Sequence, residues 1–287
     1  MPFPADRVGH ALTPSETPIT IRRILAYAAG LGAAEPAFLD DAAAGGLRAL
    51  PFQCVGPEWP VVLSLRDAVS DRLSPAEAQR GVHSVQDSHF HRPMVAGDDL
   101  VVTGQLVSAR TVRSGVHLVC RLESHDRGTG DLVTTSWTSS IYRDVGLEGE
   151  DRVLAEPPRS APWPAPSEDA EETRIVIPRE MPHVYSECAD IWNPIHTERA
   201  VALAAGLPDI ILHGTATWAL AGLTVLRRHA DSDVGRLARI TGRFSGMVIP
   251  GEEIIVRHQA LPGSFISFEV LSAKGAPVIS QGGAWLR

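Results

Sequence analysis

The stretch GTATWALAGLTVLRRHA, Gly214 to Ala230, carries no charged side chain before Arg227. A helix on a protein surface shows one apolar stripe; one that is apolar almost all round has to be enclosed by other structure. The residues that follow supply the enclosure, since RLARITGRFSG, EEIIVRHQAL and SFISFEVLSAKGAPVISQGGAWLR read as strands. A strongly curved antiparallel sheet can wrap such a helix without parallel crossovers. Upstream, RIVIP (Arg174 to Pro178) reads as one more short strand and TERAVALAAG (Thr197 to Gly206) as a short helix.

The first half repeats this arrangement. ITIRRILAYAAGLGA predicts a helix ending near Gly30 to Gly32, and WPVVLSLRDAVSDRL (Trp59 to Leu73) a second, more charged one. Strand patterns follow in LVVTGQLVSARTV, GVHLVCRLESHD and DLVTTSWTSSIYR. MVAGDDLVV (Met94 to Val102) is echoed by MVIPGEEIIV (Met247 to Val256), with one added proline. Each copy precedes two further strands, which points to a duplicated unit. The expected organisation is α+β, with a flexible N-terminal arm over residues 1–18 and a first unit over 19–153. A Pro-rich, acidic linker over 154–172 and a second unit over 173–287 complete it.

The chain of 287 residues has 26 basic and 34 acidic side chains, a formal charge of −8, which argues against a nucleic-acid or anionic-membrane surface. Cys54, Cys120 and Cys188 are odd in number and widely spaced, as expected of free thiols in a reducing compartment. The start MPFPADRVGHALTPSETP is too polar for a secretory signal, and no apolar run is long enough to span a bilayer, so a cytoplasmic protein is expected. Gly30-Leu31-Gly32 lacks the third glycine of a dinucleotide fingerprint and reads as helix termination. His183, His196, His213, His229 and His258 are too dispersed for a zinc pattern, and no metal or separate cofactor is expected.

Chemistry concentrates in ECADIWNPIHTERA (Glu187 to Ala200) and ILHGTAT (Ile211 to Thr217). Pro194 holds its predecessor Asn193 in extended or turn geometry, which can orient Asn193 and His196 around a small reactant; both residues also suit a plain turn and helix start. Gly214 opens the enclosed helix, where unpaired N–H groups favour an anion or a polarised carbonyl. It suits tight helix–sheet packing equally, and His213 suits a buried structural imidazole.

Together, WNPIHTERA and the following ILHG resemble the R-specific enoyl-CoA hydratases, also called hydratase 2 or MaoC-like dehydratases. The resemblance extends through both halves and implies a double hotdog, two units each with a curved antiparallel sheet wrapping a helix. It implies that His196 handles a proton, that Asn193 positions water or the acid, and that the Gly214 N–H binds an oxyanion. The substrate would be an acyl-CoA thioester, with coenzyme A arriving as part of it.

The family's acid is one residue removed from its asparagine, whereas Asp190-Ile191-Trp192-Asn193 has two residues between, and an ungapped match puts Ile191 at the acid position. Either a local bulge brings Asp190 into the site, or Asp190 faces solvent and His196 works alone or with Glu187 or Tyr185. Trp59, Phe90 and His91 are candidate lining residues for the acyl group, and Arg92, Arg110, Arg143 and Arg243 candidate partners for the phosphates of coenzyme A. An acyl-CoA thioesterase and a noncatalytic acyl-thioester binding subunit are the alternative readings, and self-association into a homodimer is left open.

Overall fold

The structure, a computed structural model, describes residues 2–42, 46–67, 73–78, 80–158 and 164–287. Its first elements are β1 (Phe3–Pro4), β2 (Ala11–Pro18), α1 (Ile21–Gly30), α2 (Pro36–Leu39), α3 (Val55–Asp67) and α4 (Pro75–Ala78). Six strands follow: β3 (Gly81–Phe90), β4 (Asp99–Val112), β5 (Gly115–Asp126), β6 (Leu132–Arg143), β7 (Leu147–Glu148) and β8 (Arg152–Val153). The remainder comprises β9 (Glu171–Val176), α5 (Met181–Ala189), α6 (Arg199–Ala204), α7 (Gly214–His229), β10 (Leu237–Phe244), β11 (Glu253–Leu261), β12 (Phe265–Ser272) and β13 (Pro277–Leu286). The fold is the α+β double hotdog, two curved antiparallel sheets each wrapping a helix.

One compact unit is built from Met1–Thr17, Pro57–His91 and Asp99–Pro162. Its strands run in the order β2-β4-β5-β6-β3, with β8 on β4 and a parallel β1–β7 pair beside them. Val61 and Leu65 of α3 are buried against Val102, Leu106, Leu118 and Leu122. The helix lies this close because β4 carries Gly104, where a Cβ would meet Leu122 Cδ2 at 2.6 Å and Val61 Cγ1 at 2.8 Å. Near the start of the same helix the interior turns polar: buried Glu58 accepts hydrogen bonds from Ser136 Oγ (2.6 Å) and Gln86 Nε2 (3.4 Å).

The other unit comprises Pro18–Gly56, Arg92–Asp98 and Trp163–Arg287. Its strand order, β9-β11-β12-β13-β10, matches that of the first unit strand for strand. Gly97 and Gly251 both adopt positive φ (103° and 94°), each two residues before the strand it leads into, so the MVAGDD/MVIPGEE echo marks the same turn twice. α7 is buried from Ala216 to Leu226, as its all-round apolar character requires. Phe52 stands edge-on to Trp218, with ring centroids 5.5 Å apart, and fits only because position 222 is glycine: a Cβ there would lie 2.2 Å from Phe52 Cε1.

Three expectations change. Residues 1–18 are not a loose arm, because β2 joins the sheet beside β4 while Phe3, Val8 and Leu12 are buried in the same cluster as α3. The units are not contiguous halves: α1, expected in a first unit over 19–153, packs on α5 in the unit that carries α7, where Gly30 has Cys188 close against it. The stretch 154–172 is drawn into structure at both ends, as Leu154 N–H donates to the Val107 carbonyl (2.8 Å) and β9 begins at Glu171. Residues 159–163 of that stretch, and 68–72 of the predicted second helix, lie outside the described residues. Among the described residues no helix is long and apolar enough to cross a membrane.

Phe3 is 0% exposed. Phe3→Ala is therefore expected to destabilise the protein by about 3 kcal/mol, within the range for large buried aromatics, read as a lowered denaturant midpoint with unchanged m-value. An untethered arm would give no change.

Candidate active site

The backbone decides the fate of the acid. α5 ends at Ala189, and Asp190 takes the left-handed conformation (φ 59°, ψ 39°) that lets the N–H groups of Asp190 and Ile191 both reach the Ser186 carbonyl. Such a residue reverses the chain, a position usually held by glycine or asparagine. The reversal turns Asp190 outward, 67% exposed and 3.0 Å from Arg23, and turns Ile191 inward, 4% exposed. Asp190 thus turns away from His196 toward solvent, and Ile191 is the residue of the two that is buried. Glu187 is exposed as well.

Asn193 is extended (φ −145°, ψ 117°), as a residue before proline must be, and opens the single turn Pro194–His196. It is half-buried, and its side chain makes no capping bond. The turn delivers His196 to the interior, where Nδ1 lies 2.8 Å from the carbonyl oxygen of Ile211. A carbonyl only accepts, so Nδ1 carries the proton and Nε2 is left as the base. Burial pushes the pKa of His196 down to about 4, against the pull of that hydrogen bond, so the ring is neutral at physiological pH.

The Ile211 carbonyl belongs to the segment that leads into α7, which brings together the two stretches singled out in the sequence. His213, capping α7, stacks on His196 with ring centroids 3.7 Å apart and planes inclined by 25°. Its Nε2 shares a 3.2 Å hydrogen bond with Ser186 Oγ of α5. Burial, and then the neighbouring His196 ring, lower its pKa to about 2. Tyr185 lies behind, its ring 5.0 Å from that of His213 and its hydroxyl 3.4 Å from that of Tyr27 on α1. Burial pushes Tyr185 up to about 12, so both neighbours of His213 on α5 are uncharged hydroxyl groups.

Gly214 is the first residue of α7, directly after the histidine that stacks on His196. A Cβ here would come within 3.1 Å of the Phe244 ring, so the position stays slim and its N–H remains among the donors a helix start leaves unpaired. The site therefore unites a neutral imidazole base with a helix N-terminus, a combination suited to moving a proton while charge develops on a nearby oxygen.

Sequence reasoning brought in His196, Asn193 and Gly214 and missed Ser186 and Tyr27. Both lie on buried helix faces, Ile24-Tyr27-Ala28 on α1 and Met181-Tyr185-Ser186-Ala189 on α5, where the spacing alone reads as core. Of the candidate lining residues in the other unit, Phe90 is buried, Trp59 half-buried and His91 exposed. Arg92 is held by both carboxylate oxygens of Asp98 (2.8 and 3.0 Å) and Arg110 by Glu156, whereas Arg143 and Arg243 are exposed. Among the described residues no three His, Cys, Asp or Glu side chains gather as a metal site would need.

Comparison with known proteins agrees with this architecture. Residues 174–262 match the family described as MaoC like domain, and residues 6–135 match the FAS1-like dehydratase domain region. The chain is 26% identical over 260 residues to 3-hydroxyacyl-thioester dehydratase Y of Mycobacterium tuberculosis, covering 88% of this chain and 86% of that protein. It is 23% identical over 282 residues to the probable enoyl-CoA hydratase 2 of Dictyostelium discoideum, covering 96% and 93%. The crystal structure of a MaoC-like dehydratase from Phytophthora capsici superposes with a TM-score of 0.83 at 20% identity, over 98% of both chains. Residues 174–262 thus match the MaoC like domain, and the chain as a whole shares the double hotdog fold of the MaoC-like dehydratases it superposes on.

The histidine pair also couples stability to pH. His196 takes up a proton near pH 4 when folded and near 6.5 when unfolded. The unfolded chain binds more protons between those values, so stability is full above about pH 6.5 and is lost as the pH falls toward about 4. Thermal melts are expected to show Tm declining across this window, and His196→Gln to lessen the decline, the remainder coming from His213, His83 and His258, which burial also lowers.

Proposed function

We propose that the chain catalyses the reversible hydration of a 2-enoyl-CoA thioester to the 3-hydroxyacyl-CoA, with the R-type stereochemistry of hydratase 2. The observation that carries this reading is the neutral His196, its Nδ1 tied to Ile211 and its Nε2 unbonded among the described residues, stacked on the residue next to the α7 N-terminus. The names of the relatives, a 3-hydroxyacyl-thioester dehydratase and an enoyl-CoA hydratase, support it.

The thioester oxygen accepts from the Gly214 N–H, which withdraws electron density from the double bond and makes C3 electrophilic. Nε2 of His196 takes a proton from water as its oxygen bonds to C3, and the π electrons move onto the thioester oxygen as an enolate. The enolate collapses as C2 takes a proton from the imidazolium, restoring the neutral ring. The reverse sequence eliminates water from the 3-hydroxyacyl thioester. Most of the acceleration comes from stabilising the enolate, because the ground-state thioester is neutral and gains charge only on the way. One oxyanion donor is worth about 3 kcal/mol in such a setting. Asn193 orients the water.

Purified protein mixed with crotonyl-CoA is expected to remove the ultraviolet absorbance of the enoyl thioester without releasing free thiol. His196→Ala is expected to lower kcat by about 10²–10⁴-fold, the usual contribution of a positioned acid–base group, while Asp190→Asn changes it by less than about twofold, as expected of an exposed acid outside the chemistry. Thiol release would point to a thioesterase instead, and absence of both reactions over a range of acyl chains to a binding subunit.

A further inference from the structure

His213 and Ser186 take no part in the steps above, although both are buried and both lie directly behind the base. A ring 3.7 Å away and nearly parallel leaves His196 no room to tilt without displacing His213. His213 in turn is placed by its backbone at the start of α7, where its side chain makes no capping bond, and its ring is held by the hydrogen bond to Ser186 on α5. Resting on the hydratase reading, we propose that Ser186 and His213 form a positioning pair in the place of the carboxylate that position 191 does not supply. The pair holds the plane of His196, keeps water off its faces, and leaves it as the single carrier of the proton that leaves water and arrives at C2.

Three observations favour this arrangement over a fortuitous stack. The position expected to carry the acid is Ile191, buried and unable to hold a proton. Asp190, the acid beside it, is turned out toward Arg23. Among the described residues, the ring that meets His213 from α5 carries no charge that could substitute: Tyr185, with Tyr27 behind it, is raised by burial and stays neutral. His183, on α5, is bonded to the Thr197 carbonyl (3.1 Å), Glu198 is exposed, and Asp209 is paired with Arg199 (3.2 Å). Cys54, adjoining the tyrosines, is buried.

Removing the Ser186 hydroxyl frees His213 to swing and lets water reach His196, so His196 titrates closer to an ordinary histidine. The test uses the full-length chain, uniformly labelled with ¹⁵N, and follows its imidazole resonances from pH 4 to pH 8 beside the pH profile of crotonyl-CoA hydration. In the unsubstituted protein His196 is expected to stay neutral, with the proton on Nδ1, down to about pH 5. In Ser186→Ala its titration is expected to rise by at least about one pH unit, with the acid limb of kcat/KM moving alongside. At neutral pH kcat falls by about tenfold and KM stays within about twofold, the signature of a group that acts through another.

A folded Ser186→Ala protein whose His196 titration and kcat match the unsubstituted chain would overturn the proposal. So would a change confined to KM, which would put Ser186 on the substrate. If the alanine variant fails to fold, Ser186→Cys, close in volume but a weak donor, gives the same comparison. The resonance measurement does not require turnover: a shifted titration in a protein that hydrates no enoyl thioester would uphold the pair and remove the hydratase reading, and an unshifted one in an active enzyme would do the reverse.

Discussion

The hydrogen bond from His196 Nδ1 to the Ile211 carbonyl organises the site. It settles which nitrogen carries the proton, aims the other outward as a base, and ties the turn Pro194–His196 to the segment that leads into α7. Without it the Asn-Pro-Ile-His turn and the start of the enclosed helix would be two unrelated features. Burial reinforces it, because a ring removed from water resists protonation and a neutral imidazole needs one donor and one acceptor direction, both of which are then defined.

The second constraint is the left-handed residue at the end of α5. A helix that must stop and reverse before a rigid Asn-Pro needs such a residue, and Asp190 fills it. Once the backbone turns there, alternate side chains are sorted to opposite sides: Asp190 to Arg23 and solvent, Ile191 to the core. The acid therefore sits just past the helix, on the solvent side of the turn. The side chains packed behind His196 are an imidazole and two hydroxyl groups, those of His213, Ser186 and Tyr185.

The enclosed α7 was legible because its apolar residues run all round. The duplication was legible because a glycine followed by two acids precedes equivalent strands, β4 and β11. His196 and Gly214 stood out because proline and glycine restrict the backbone in ways a sequence displays. What stayed hidden depends on contacts between distant segments. The polar opening MPFPADRVGH gives no sign that Phe3 and Val8 will be buried. α1 follows the first unit's opening strand in sequence, yet its Gly30 and Tyr27 are shaped to receive Cys188 and Tyr185 of α5. Ser186 and Tyr27 looked like ordinary members of buried helix faces, because a periodic pattern reports that a side chain is inside and not what it meets there.

β9 ends the strand order of its unit, and the side chains it shows to solvent include Glu171, Glu172 and Val176, with Arg174 ion-paired to Glu172 and Glu253. An outer strand carrying ionic groups at such close intervals makes a poor template for a foreign strand, since a newcomer would have to bury those charges against itself. Growth of the sheet from this border into fibrous or ladder-like assemblies is thereby discouraged.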